Sequence, residues 1–186
     1  MTAHLPRTAL LLGLIIAGAV ARLTPHPPNV SPVAALALLG GATLAAPWSF
    51  AFPGAAMLAS DIVLGFDSLP ITLSVYGSFF ITVCLGRWLR SRTTILRMIL
   101  ASLGGSVLFY LVTNAAVWWF SGMYPQTFDG LVLSYTYALP FFRHTLVGDL
   151  AYTTVLIGTA FLLPRYAARA MTVLSGAWRS RKTAHH

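Results

Sequence analysis

Glutamate is missing from this sequence of 186 residues, and its four acids are all aspartates, set against twelve lysines and arginines. Only 9% of the residues are charged, where soluble domains carry charge on roughly 25%. So few charges cannot cover a water-facing surface. With 57% hydrophobic residues, the composition is one that lipid tolerates as a solvent. The single cysteine, Cys84, excludes an intramolecular disulfide and a cysteine metal cluster. It lies in an apolar run and reads as a packing residue. Walker A, Rossmann, Ser-x-x-Lys and Gly-x-Ser-x-Gly patterns are all lacking. The chain is therefore expected not to hydrolyse ATP itself, not to be an enzyme and to need no cofactor. His26 and His144 lie near aspartates, but no HxxxH or HExxH spacing accompanies them. Thr2-Ala3-His4 could chelate copper or nickel only if Met1 were removed. No metal site is expected.

What the sequence does have is apolar length. Six stretches stand out, at about 8–21, 33–47, 50–66, 71–89, 95–120 and 146–164. A span needs ~20 apolar residues, so the chain has room for about six and for no separate soluble domain. The first two stretches are short and must tilt, extend or stop short of one interface. The amino-terminal run resembles a signal peptide, with His4 and Arg7 before Thr8 to Val20. Arg22 and a proline cluster stand where small cleavage-site residues belong, so it reads as a retained first helix. Residues 121–145 read as a long aromatic loop, and 165–186 as a basic tail.

The net charge of +8 could signal nucleic acid, but no basic stripe lies on a polar face. It is better read as topology signals and contact with anionic lipid headgroups. Arg7, then Arg87, Arg90, Arg92 and Arg97, then Arg165, Arg169, Arg179, Arg181 and Lys182 fall on one side of a six-span bundle. By the positive-inside rule that side is cytoplasmic. The expected fold is an all-α bundle of about six transmembrane helices in the inner or plasma membrane, with both termini inside.

Polar chemistry gathers toward the opposite, outer end. Asp61, Asp67, Asp129 and Asp149 all lie at or near it, with Arg22, His26, Asn29, Arg143 and His144, beneath a rim of Trp, Tyr and Phe. This is a candidate mouth for a binding pocket. A carboxylate within a bilayer faces a partner or a cavity, so Asp61 and Asp149 read either as halves of Asp–Arg pairs or as ligand contacts. The stiff segment Arg22-Leu-Thr-Pro-His-Pro-Pro-Asn29 either holds His26 and Asn29 for a ligand or is simply a rigid connection. Asn114 reads as interhelical glue or a ligand contact. Trp118 belongs to an interfacial belt or stacks on a flat ligand. Gly13, Ala17 and Ala21, four residues apart, form a small-residue stripe. It serves packing inside the bundle or docking on a partner protein.

Taken in order, Arg22…Pro25-His-Pro-Pro-Asn29, Ser60-Asp61…Gly65, Tyr76-Gly-Ser-Phe79, Thr113-Asn114…Trp118, Tyr124-Pro125, Gly130-Leu131, Leu139-Pro-Phe-Phe142 and Gly148-Asp149-Leu-Ala-Tyr-Thr153 carry a resemblance. Over about residues 10–163 the chain resembles an uncharacterised family assigned to the substrate-binding (S) components of energy-coupling-factor transporters. The resemblance implies a six-helix protein with both termini inside. It implies capture of a vitamin or related micronutrient near the outer face, and reliance on a transmembrane coupling subunit and two separate ATPases. Ala17 and Ala21 would match the alanines that dock on the coupling subunit. The amino-terminal Met-His of the nickel and cobalt versions is absent.

The sequence therefore predicts a micronutrient-capture subunit. Its candidate ligand-binding residues are Arg22, His26, Asn29, Asp61, Asn114, Trp118, Arg143 and Asp149, and its candidate docking residues are Gly13, Ala17 and Ala21. The rival reading is an accessory subunit of a larger membrane complex, contacting lipid or pigment. The expected partners are membrane lipid, a small-molecule ligand and other membrane subunits, and not nucleic acid.

Overall fold

The computed structural model describes residues 4–162. The basic tail 165–186 and the Thr2-Ala3 part of the amino-terminal pattern lie outside them. The described residues are helical throughout, without strands. The helices are α1 (His4–Leu23), α2 (Val33–Thr43), α3 (Trp48–Leu64), α4 (Leu69–Leu89), α5 (Ile95–Phe120) and α6 (Phe128–Ile157), followed by a π-helical turn, Gly158–Leu162.

The helix ends follow local chemistry. Pro25, Pro27 and Pro28 stop α1, since each lacks an N–H and fixes its own φ. Asn29 then takes a left-handed turn with φ 62°, which its short polar side chain tolerates. Gly65 ends α3 at φ 91°. Thr94 caps α5 by accepting from the Arg97 N–H, and Thr127 caps α6 by accepting from the Gly130 N–H.

Among the described residues two helices, α4 with 21 residues and α5 with 26, are long and apolar enough to cross a membrane, and their 18-residue windows have mean hydropathies of 1.7 and 1.9. α2 is the centre of the assembly. Every residue from Val33 to Ala42 is buried, and α2 touches all five other helices. With eleven residues it is ~16 Å long, about half the ~30 Å hydrocarbon core. The stretch expected to span at 33–47 therefore stops at Thr43. Its chain breaks before Pro47, and Pro47 in turn caps α3.

The largest departure from expectation concerns residues 121–145. The expected aromatic loop is only a short turn, and α6 starts at Phe128 and runs 30 residues, ~45 Å. The Thr127 cap starts the helix early. Pro140 lies inside it; a proline removes only one backbone hydrogen bond there, and membrane helices absorb that loss. The helix expected at 146–164 thus begins well before residue 146.

The two ends of the bundle are packed differently. Leu38, Leu39, Ala42, Leu89, Met98, Ala101 and Ile157 form an apolar core between the carboxyl ends of α2, α4 and α6 and the start of α5. There α2 and α4 meet backbone to backbone. A Cβ on Gly41 would lie 2.1 Å from the Val83 carbonyl oxygen, and one on Gly86 would lie 2.3 Å from that of Leu38. Toward the other end the interior turns polar. Ser78 and Thr82 on α4, Ser102 and Ser106 on α5, and Thr145 and Asp149 on α6 are all buried. Most of their hydroxyls bond a carbonyl one turn back, as in Ser78 to Ser74 at 2.7 Å and Thr82 to Ser78 at 2.9 Å. Small residues of this kind let helices come close while satisfying their own polar atoms.

Candidate ligand-binding site

At the polar end, the carboxyl ends of α1 and α3 meet the amino end of α4. Arg22 closes α1 and reaches α3. Its Nη1 pairs with Asp61 Oδ1 at 2.7 Å and also donates to Ser60 Oγ and the Met57 carbonyl. Asp61 Oδ2 accepts from the Tyr76 hydroxyl at 2.7 Å. This is the only ion pair among the described residues. Its two side chains are 20% and 10% exposed. Anchoring through Nη1 alone leaves Nε and Nη2 of Arg22 without partners among the described residues.

Arg22 also lines two adjoining cavities. The first, about 200 Å³, is bounded by Arg22, His26 and Asn29 at its mouth and reaches Thr82, Thr145 and Asp149. The second, about 490 Å³, shares Arg22, Asn29, Met57 and Phe109 with the first and extends past Asp61 and Tyr76 to Asp67 and Thr72. Phe79 and Phe109 wall the first cavity, with ring centroids 5.3 Å apart and planes inclined by 38°. Gly105 lies beside them. A Cβ there would meet Thr82 at 3.2 Å, so the glycine keeps α5 close to α4. Asp149 is only 4% exposed, and its Oδ2 accepts from Ser106 Oγ at 2.6 Å.

Five of the eight residues expected at a site thus lie around one cleft: Arg22, His26, Asn29, Asp61 and Asp149. Asn114, Trp118 and Arg143 do not line it. The Asn114 amide donates to the Tyr110 carbonyl of its own helix at 2.8 Å. The contact across to α6 is made instead by Ser134, whose hydroxyl donates to the Asn114 main-chain oxygen. The Trp118 indole donates to the Pro125 carbonyl at 2.9 Å and fastens the α5–α6 turn. Arg143 is exposed on α6 and forms no ion pair among the described residues. Its helical placement, rather than the expected loop, carries it along α6 away from the aspartates.

Three contributors were not foreseen as site residues: Tyr76, Ser106 and the Ser74–Ser78–Thr82 ladder. The ladder did have a signal, a hydroxyl every four residues followed by Gly86. Tyr76 stood in the Tyr76-Gly-Ser-Phe79 motif but with no role attached, and Ser106 had no signal beyond being polar within an apolar stretch. In the candidate docking stripe, Gly13 and Ala17 are exposed and Ala21 is half-buried. Packing within the bundle uses Gly18 instead, where a Cβ would lie 2.5 Å from a methyl of Leu36. Among the described residues no three His, Cys, Asp or Glu side chains converge to hold a metal ion.

The chain belongs to a family of unknown function, DUF6580, whose model matches residues 2–183. Searches of curated proteins and of solved structures give no match.

Proposed function

We propose that the chain is a six-span integral protein of the inner or plasma membrane, both termini cytoplasmic, that captures a small organic solute at its outer face. In this reading it is the substrate-binding subunit of an energy-coupling-factor type transporter, and its transport energy comes from ATPases on other chains. The membrane part of the reading is supported by an inside-out distribution. Several hydroxyls and two of the four carboxylates, Asp61 and Asp149, are buried, while Leu12, Ile16, Ile62, Val63, Leu73, Ile81, Leu111 and Val155 lie exposed on the helices around them. The observation that carries solute capture is Arg22. It is fixed by Asp61, has N–H donors with no partner among the described residues, and lines a cavity. An arginine held rigid at low cost in entropy is suited to grip a carboxylate or phosphate oxygen.

A thermal-shift screen of vitamins, nucleobases and their precursors on the detergent-purified protein tests this. One compound should stabilise it, by ~2.7 kcal/mol at 100 times its dissociation constant. The double variant Arg22→Met/Asp61→Leu removes the pair without stranding a charge, so it should fold and lose that response. Tagged protein isolated from its own cells should bring ATPases with it. Absence of any stabilising compound, together with recovery only in a stoichiometric complex without ATPases, would instead establish the accessory-subunit reading. Two observations favour that second reading: the exposed Gly13–Ala17 face of α1, and an apolar groove of about 180 Å³ between α5 and α6 lined by Ile95, Met98, Ile99 and Leu150.

A further inference from the structure

The two buried carboxylates at this end of the bundle are not in the same condition. Asp61 has a guanidinium and a phenol on it. Asp149 has one hydroxyl, from Ser106, and that hydroxyl reaches Oδ2 only. Oδ1 accepts nothing among the described residues, and no cation pairs with the group. Nor is Oδ1 sealed in. The polar atoms shut away without a partner are Ser49 Oγ, Ser102 Oγ, His144 Nδ1 and Thr153 Oγ1, and Asp149 Oδ1 is not one of them. Asp149 lines the smaller cavity, so its unclaimed oxygen opens there. The same cavity is lined by the hydroxyl-bearing Thr82 and Thr145 and by Phe79 and Phe109.

We propose that Asp149 receives a positively charged N–H group, an ammonium or amidinium, on the small organic molecule that this cavity binds. The inference rests on the solute-capture reading and gives the solute a chemistry and an orientation. A carboxylate held in an apolar interior gains most from a partner that brings both a countercharge and a hydrogen-bond donor. An organic cation brings both, and the faces of Phe79 and Phe109 add attraction for a cation and a surface for a flat ring. At the mouth, Arg22 offers free donors to an anionic or oxygen-rich end. The ligand is thus bipolar, with its amine end inward and its oxygens outward. The volume of about 200 Å³ is below the roughly 300–1,000 Å³ of drug-sized sites, which limits it to a small metabolite.

Four ring compounds of one shape separate the possibilities by thermal shift on the full chain in detergent: 4-(aminomethyl)benzoate, benzylamine, 4-methylbenzoate and benzyl alcohol. The first should stabilise most, benzylamine should come second, and the two compounds without an amine should do least. This ranking needs no variant. Asp149→Asn keeps the shape and the Ser106 contact, and should weaken benzylamine by about tenfold or more, as expected when a charged acceptor becomes neutral. Stabilisation by 4-methylbenzoate without benzylamine would overturn the inference while leaving solute capture standing. So would an amine response unchanged in Asp149→Asn. Stabilisation by sodium chloride over choline chloride, abolished by Asp149→Asn, would overturn it in favour of an inorganic cation. Silence from all four rings would also overturn it, and the metabolite screen judges solute capture separately.

Discussion

The two ends of the bundle are held together by opposite means. At the apolar end, α2 and α4 touch through main-chain atoms, and Gly41 and Gly86 leave no room for even a methyl group. At the polar end cavities open between the helices, and one ion pair among the described residues, with its attendant hydroxyls, ties α1, α3 and α4. In lipid, apolar side chains gain little by leaving their surroundings, so close packing and internal hydrogen bonds carry association. The first end spends its surface on packing. The second keeps polar groups under-used, as the proposed ligand site would require.

The sharpest test of that contrast is Gly86→Ala. Its new Cβ meets backbone rather than a flexible side chain, so stability in detergent should fall by about 3 kcal/mol or more, read from thermal unfolding. Gly77→Ala in the same helix has nothing within 4 Å and should be neutral or gain up to about 1 kcal/mol. Equal behaviour of the two would mean that α2 and α4 are not in backbone contact. At the polar end, Asp61→Asn leaves Arg22 short of a countercharge. The cost should be about 2 kcal/mol, below the range for a fully buried pair because Arg22 reaches the cavity. The exposed Asp129→Asn should stay within about 0.5 kcal/mol. A larger loss from Asp61→Asn than from Gly86→Ala would reverse the ranking of the two ends. Least disturbing are single cysteines at Ser91 and Gln126 in a Cys84→Ala background, all three being exposed positions. In intact cells an impermeant thiol reagent should label position 126 and spare position 91. Labelling at 91 would break the six-span topology.

Hydrophobic patterning made α4 and α5 legible almost to the residue, because long uninterrupted apolar runs ended by Arg90 and by the Ser121-Gly122 turn leave little choice. Proximity of Arg22, His26, Asn29, Asp61 and Asp149 was also readable, since alternating spans bring their segments to one end. The start of α6 was not. Tyr135, Tyr137 and Pro140 look like loop chemistry, and only the Thr127 cap, a single hydroxyl, marks the helix. Nor could the sequence say which aspartate Arg22 would choose. That depends on the rotation of α1 against its neighbours, where Gly18 faces Leu36 of α2 and Ala56 of α3. The backbone contact of Gly41 with Gly86 was equally hidden, because glycine is common in membrane helices and its partner lies 45 positions away.

A helix enclosed on every side, as α2 is, has no tolerant face. Along α4 or α5, positions that point outward can drift among apolar residues while inward ones cannot, so accumulated substitutions would keep the beat of 3.6 residues. From Val33 to Ala42 every position is inward, and that beat disappears. The segment would vary little at any position, looking to a survey of sequences like a motif with a chemical task. The constraint there is shape alone. The residues proposed to meet a ligand sit instead on helices whose other faces are free to change, and they would stand out only singly, as isolated fixed points such as Arg22 and Asp149.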